Sequence, residues 1–421
     1  MALSKKPVKG MKDVLPREME IRTYVQGLIR DTYKGYGFTQ IETPCMEHIE
    51  NLTNKQGGEN EKLIFKVMKR GRDLEKGLQT GEIADSGLRY DLTVPLSRYY
   101  AANRSVLPAP LKALQIGNVW RADKPQKGRF RQFTQCDIDI IGDGSVMAEI
   151  ELIAATAGML TRIFSEVGLR EFTVHINDRR ILRAMAAAAG FDEAQFDDVF
   201  IILDKMDKIG PEGVRESLLE KGFDAASVDK YTTMLASITP GTDCRSFAGG
   251  LEGHLEEKVT GNLDLIIRGA SRMIADDVHL VFDPTLVRGM SYYTGTIFEI
   301  SLDGYNFSVA GGGRYDEMIG RFSGQSAPAC GFSIGFERIV TILKDLGWKE
   351  ETPSGEKIAL LVDEKAGEET LLTAFDRAAV LRAQGHTVTV QPLKKNAKFQ
   401  VETLEKNGYT DIQKIFAPYS S

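Results

Sequence analysis

Residues 113–142, ALQIGNVWRADKPQKGRFRQFTQCDIDIIG, read as two antiparallel strands joined by a short polar loop, and this hairpin predicts a sheet domain. The loop, residues 123–128, has the Pro, Gly and charged side chains of a connection between strands. Side chains alternate along a strand. Arg129, Arg131, Phe133, Gln135, Asp137 and Asp139 therefore share one face of the second strand, and Phe130, Gln132, Thr134, Cys136, Ile138 and Ile140 share the other. The latter set is mostly apolar and marks a core face. The former carries guanidinium, amide and carboxylate groups, which suit either a solvated sheet face or the floor of a ligand site. Arg forks match phosphate, and an Asp pair can meet a cation. With Arg121 at the end of the first strand, such a floor would hold the anionic and cationic parts of one ligand.

At 421 residues, with 42% apolar and 27% charged side chains, the chain has the composition of a globular protein of two or three domains. A net charge of −6 gives no global attraction to nucleic acid, which leaves only local basic runs. Lys124, Lys127, Arg129 and Arg131 form one; Lys394, Lys395 and Lys398 form another. Short runs of this kind are ordinarily solvated surface. Cys45, Cys136, Cys244 and Cys330 show no CxxC pairing and no His at metal-ligand spacing, which argues against a zinc site or a disulfide framework and for a reducing compartment. The start MALSKKPVKGMKDVLP has no apolar core of a secretory signal, and no apolar run reaches the length of a membrane span. A cytoplasmic protein with no membrane partner is expected.

Along the chain, residues 17–35 read as a helix, and GFTQIETPCMEHIE reads as a strand interrupted at Pro44. Residues 69–86 read as a long charged connection. In SGLRYDLTVPLSRYY, Arg89, Asp91 and Thr93 fall on one strand face, where a carboxylate and a hydroxyl suit an ammonium group. Residues 145–167 are helical and EFTVHIN is a strand, after which residues 178–276, rich in Ala, Asp, Glu and Lys, read as a mainly helical insertion. The sheet resumes at His279. Tyr292 and Tyr293, adjacent on a strand, point opposite ways, so one can present its hydroxyl to a pocket. Three Gly before Arg314 let the backbone approach a ligand or another strand. Arg338 falls in the first turn of a helix, where an anion is favoured. Arg121, Arg314 and Arg338, all at element ends, together suggest a polyphosphate. Residues 349–356 read as a linker, and 357–421 as a small α/β unit with two evident strands and two helices.

The ordered motifs KGMKDVLP, LRYDLTVPLSRYY, VWRADKPQKGRFRQFTQCDIDIIG, LVRGMSYYTGTIFE, AGGGRYD and GFSIGFERIV resemble those of the histidyl-tRNA synthetases, a class II aminoacyl-tRNA synthetase family. The resemblance implies an α+β fold: an antiparallel sheet flanked by helices (residues 1–177 and 277–348), a helical insertion (178–276) and a short C-terminal α/β domain like an anticodon-binding domain (357–421). It implies a homodimer that attaches L-histidine to tRNA(His) through a histidyl-adenylate, with ATP as substrate and Mg²⁺ on the leaving pyrophosphate. Arg121 would grip the α-phosphate of ATP and Arg338 the γ-phosphate and adenine, with Arg129 and Arg131 joining the nucleotide. Asp91, Thr93 and Gln135 would hold the amino group of histidine, and Asp139 and Tyr293 its imidazole, with Tyr292 beside them. Arg288 would contact both the histidine carboxylate and the α-phosphate, making Arg288 and Arg121 the catalytic pair. Gln126 would read the acceptor end of the tRNA. Two features depart from the family pattern: Ser291 stands where Asp is usual, and the last domain is short. The competing reading is a synthetase-like regulatory subunit of ATP phosphoribosyltransferase. A ligase charging another acceptor is a further one. The retained Arg121, Gln135, Arg288, Tyr293 and Arg338 favour the synthetase.

Overall fold

The central hairpin forms as the alternation predicts. In a computed structural model that describes residues 3–53, 60–125, 129–239, 241–287, 292–348 and 355–416, two ten-residue strands pair from Leu111 opposite Ile141 to Trp120 opposite Gln132. The strands are β1 (Thr39–Gln40), β2 (Met46–His48), β3 (Lys66–Met68), β4 (Ala84–Leu88), β5 (Leu111–Trp120), β6 (Gln132–Ile141), β7 (Phe172–Asp178), β8 (Val278–Phe282), β9 (Thr296–Ser301), β10 (Ser308–Arg314), β11 (Ala329–Ile334), β12 (Lys357–Val362), β13 (Thr387–Pro392) and β14 (Asp411–Ile415). Eight of them make one sheet in the order β1-β5-β6-β11-β10-β9-β7-β8, antiparallel across its centre with one parallel pair at each edge. Pro44 separates β1 from β2, which joins β4 and β3 in a small second sheet.

One face of the large sheet is sealed by helices. Ile21, Val25 and Ile29 of helix Pro16–Gly35 and Leu152, Ile153 and Leu160 of helix Met147–Ser165 share a core with Cys136, Ile138 and Ile140 of β6. Each of these side chains is essentially removed from water, and full burial of one Leu or Ile contributes about 1.5–3 kcal/mol. The opposite face of β6 is thereby left to carry the site. Between β7 and β8 the described residues are helical, from Arg179–Ala189 to Glu257–Ala270, and their apolar faces join that same core.

Four sequence expectations are corrected. Residues 69–86 are not one connection: helix Gly71–Thr80 and β4 lie within them, and the helix escapes notice because GRDLEKGLQT offers only two apolar side chains, Leu74 and Leu78, among charged residues and glycines. Residues 89–93 are not a strand. The chain leaves β4 at Leu88 and Thr93 opens helix Thr93–Asn103, whose Val94 N–H donates to Asp91 Oδ1 at 3.0 Å. Tyr292 and Tyr293 precede β9 rather than lying on a strand. The C-terminal unit has a third strand, β14, whose polar sequence DIQKI gives little apolar signal.

That unit, from Lys349 onward, is a parallel three-stranded sheet in the order β13-β12-β14. Ala378 of helix Glu368–Ala383 packs with Ile358 and Leu360, and Leu404 of helix Ala397–Lys406 with Ala359 and Leu361, so β12 is covered on both sides. No described helix is long and apolar enough to cross a membrane.

Candidate active site

Over the open face of the large sheet lies a cavity of 440 Å³, the size range of small-molecule sites. Its floor is the row Phe133, Gln135, Asp137 and Asp139 of β6. The row is not a solvated face: Gln135 is 9% exposed, and Asp137 and Asp139 are 3% exposed each. Register explains how carboxylates fit there. Asp139 lies opposite Gly331 on β11, and a Cβ at Gly331 would overlap Asp139 Oδ1. Asp137 lies opposite Ser333, whose Oγ accepts from Gln135 Nε2 at 3.0 Å.

Tyr315, which follows β10, donates from its hydroxyl to Asp139 Oδ1 at 2.6 Å. Burial pushes the Asp139 carboxyl up to about 7, against the lowering effect of that bond. Burial and the neighbouring Asp139 hold Asp137 well above the usual carboxylate range. Gln135 Oε1, Asp137 Oδ1 and Asp139 Oδ2 are buried and have no hydrogen-bond partner among the described residues. A buried oxygen without a donor is costly, so this row is built to receive N–H groups from a ligand.

The remaining walls bring together most of the expected residues. Asp91 and Thr93 reach the cavity from the helix start; burial raises Asp91, and the Val94 N–H offsets part of the effect. Tyr292 and Tyr293 both line it, their rings edge-on at 4.9 Å. At the other end the Arg121 guanidinium lies over Tyr90 at 4.3 Å and over Phe133 at 5.2 Å, with Nε donating to Tyr90 O at 3.1 Å. Arg129 and Arg338 also line this end; Arg338 donates to Ser308 O and Oγ and lies over Phe307.

Other expected residues go elsewhere. Arg131 is not among the lining residues, and its Nε donates to Asp123 O at 3.1 Å. Arg314 is withdrawn from phosphate: a two-point pair with Glu149 (2.7 and 2.6 Å) occupies its buried guanidinium. Arg89 also faces inward, donating to Asn118 O and Thr43 O. Of the three glycines before Arg314, Gly311 lines the cavity, while Gly312 and Gly313 press against Gly331 O and Thr296 O, so close strand packing accounts for those two. Gln126, Arg288 and Ser291 lie outside the described residues.

Three contributors were not singled out in the sequence: Tyr315, Gly331 and Glu337. Glu337 holds Arg22 at two points, 2.7 and 2.8 Å, and accepts the Thr134 N–H at 3.2 Å, tying two helices to the floor strand. The GRYD and FERIV motifs contained Tyr315 and Glu337, but their partners Asp139 and Arg22 are remote in the chain.

An antiparallel sheet with an Arg-bearing hairpin over one open cavity, backed by helices on its other face, is the catalytic fold of the class II aminoacyl-tRNA synthetases. Comparison with known proteins narrows this. The family model described as histidyl-tRNA synthetase matches residues 10–339. A histidine–tRNA ligase of Leifsonia xyli subsp. xyli is 41% identical over 430 residues, covering 96% of this chain and 93% of that one. A probable histidine–tRNA ligase of Tropheryma whipplei is 39% identical, covering 96% and 94%. The crystal structure of histidyl-tRNA synthetase from Nostoc sp. PCC 7120 matches with a TM-score of 0.77 at 27% identity, over 97% of this chain and 90% of that one. A Bacillus halodurans structure titled as an ATP phosphoribosyltransferase regulatory subunit/histidyl-tRNA synthetase shares the fold, with a TM-score of 0.78 at 23% identity over 99% and 100% of the chains. The chain belongs to the histidyl-tRNA synthetase family.

Proposed function

We propose that the protein joins L-histidine to tRNA(His) in two steps, and the observation that carries this reading is the cavity itself: buried acceptors along β6 at one end, arginines over aromatic rings at the other. In the first step a histidine carboxylate oxygen bonds to the α-phosphorus of ATP, and the bond to the leaving pyrophosphate breaks. Negative charge grows on the phosphate oxygens, and Arg121 lies at the end of the cavity where it can meet that charge. Arg288 would share this task, Arg129 and Arg338 would hold the rest of the nucleotide, and Arg131 would brace the hairpin loop through Asp123. Mg²⁺ would arrive on the phosphates of ATP as part of the substrate. In the second step the terminal ribose hydroxyl of the tRNA takes the histidyl group and AMP leaves.

At the other end, Asp91, Thr93 and Gln135 would receive the amino group, and Asp139 and Tyr293 the ring, beside Tyr292. An apolar amino acid of similar size would leave those buried groups unpaired, which can cost about 10⁴ in selectivity without editing. Gln126 would meet the acceptor end, the C-terminal unit the anticodon stem, and two copies of the chain would form the working cytoplasmic enzyme. The regulatory-subunit alternative has no need for arginines at a phosphate. Arg121→Ala is the test: histidine-dependent exchange of pyrophosphate into ATP should fall by about 100-fold or more. Near-normal exchange would remove Arg121 from the reaction.

A further inference from the structure

The floor carries a carboxylate to which the roles above give no task, Asp137. It stands between Gln135 and Asp139 on the cavity side of β6 and is 3% exposed. The carboxylate is supported from within the sheet: Gln135 Nε2 lies 3.5 Å from Asp137 Oδ2 and 3.0 Å from Ser333 Oγ, and the Ser333 side chain itself hydrogen-bonds the Asp137 carboxylate. The other oxygen, Oδ1, is buried with no hydrogen-bond partner among the described residues. Its charged neighbours are Asp139 and Asp91, of like sign, and Arg121, of opposite sign. Burying a carboxylate among others of like sign is costly, and such a group persists where a ligand supplies the missing positive charge. Asp139 is already engaged by Tyr315, whereas the hydrogen-bond neighbour of Asp137 along the strand is Gln135, a residue assigned to the amino end of the substrate.

We infer that Asp137 is a further specificity-determining residue: its Oδ1 accepts a hydrogen bond from the α-ammonium group of the amino acid, beside Gln135 Oε1, while Asp139 serves the ring. This rests on the reading of the cavity as a histidine site. Three carboxylates, Asp91, Asp137 and Asp139, then face a ligand whose amino end is positive.

The test uses the full-length protein and two inhibitors of histidine-dependent exchange. Histidinol has the ring and the ammonium but no carboxylate; deaminohistidine has the ring and the carboxylate but no ammonium. Asp137→Asn should weaken histidinol by about 10-fold or more, as loss of a charged acceptor does, and raise KM for histidine by a similar factor. Deaminohistidine inhibition and KM for ATP should stay within about 2-fold, below the effect of one ordinary hydrogen bond. Asp137→Ser, which removes the charge with a smaller side chain, should behave alike and guards against a folding failure of the first variant. Unchanged histidinol inhibition in the variants, or equal weakening of both inhibitors, would overturn the assignment of Asp137 alone. Failure of the unaltered protein to bind histidinol would overturn the histidine reading beneath it.

Discussion

The Tyr315 hydroxyl donates to Asp139 Oδ1 at 2.6 Å and leaves Oδ2 buried without a partner among the described residues. One oxygen is fixed by the protein, and the other is offered to the cavity. Tyr315→Phe removes the anchor while keeping the ring that packs edge-on against Tyr292. KM for histidine should rise about 10-fold, the effect of losing one hydrogen bond to a charged group. KM for ATP should not move. Because the hydroxyl lowers the Asp139 pKa, its loss should also shift the acidic limb of kcat/KM for histidine to higher pH. An unchanged KM with an unchanged limb would show that Tyr315 only fills space.

Asp139 also sets a pH dependence of stability. Burial pushes its carboxyl up to about 7 in the folded protein, against 3.8 for an ordinary Asp side chain, so between those values the native state holds a proton that the unfolded chain has lost. Protons bound more by the native state make stability fall as pH rises. The contribution is greatest below about pH 4, declines towards pH 7 with a slope of at most about 1.4 kcal/mol per pH unit for one proton, and is flat above. Urea unfolding of the ligand-free protein across this range should show the decline, and Asp139→Asn should make it shallower. Parallel curves for the two proteins would contradict the assignment.

The Arg314–Glu149 pair separates structure from chemistry. Their side chains are 10% and 3% exposed, and they join the end of β10 to helix Met147–Ser165. Glu149→Ala leaves a buried guanidinium without its principal partner and should destabilise the fold by about 3–5 kcal/mol in urea unfolding. At temperatures where the variant stays folded, KM for ATP should be unchanged. A raised KM for ATP with normal stability would return Arg314 to the phosphate site.

The sequence legible in advance was the sequence whose information is local. Alternation along β6 put Gln135, Asp137 and Asp139 on one face and Cys136, Ile138 and Ile140 on the other, and both faces formed. Arg314 was misread because an arginine at a strand end looks alike whether it meets a phosphate or a carboxylate, and Glu149 lies 165 positions away. Tyr315 and Glu337 were missed for the same reason: their partners Asp139 and Arg22 are 176 and 315 positions distant. Asp91 and Thr93 line the cavity, but from a helix start rather than a strand, since period-two alternation over five residues does not exclude a turn capped by Asp91.

The most direct measurement is histidine-dependent exchange of pyrophosphate into ATP by the purified protein, followed in the same sample by charging of tRNA(His). Exchange that requires histidine, with histidine then found on the tRNA, is the expected result. Exchange without charging would leave an enzyme that activates histidine for another acceptor. Absence of exchange would contradict the account and favour a catalytically silent relative that keeps the fold for regulation.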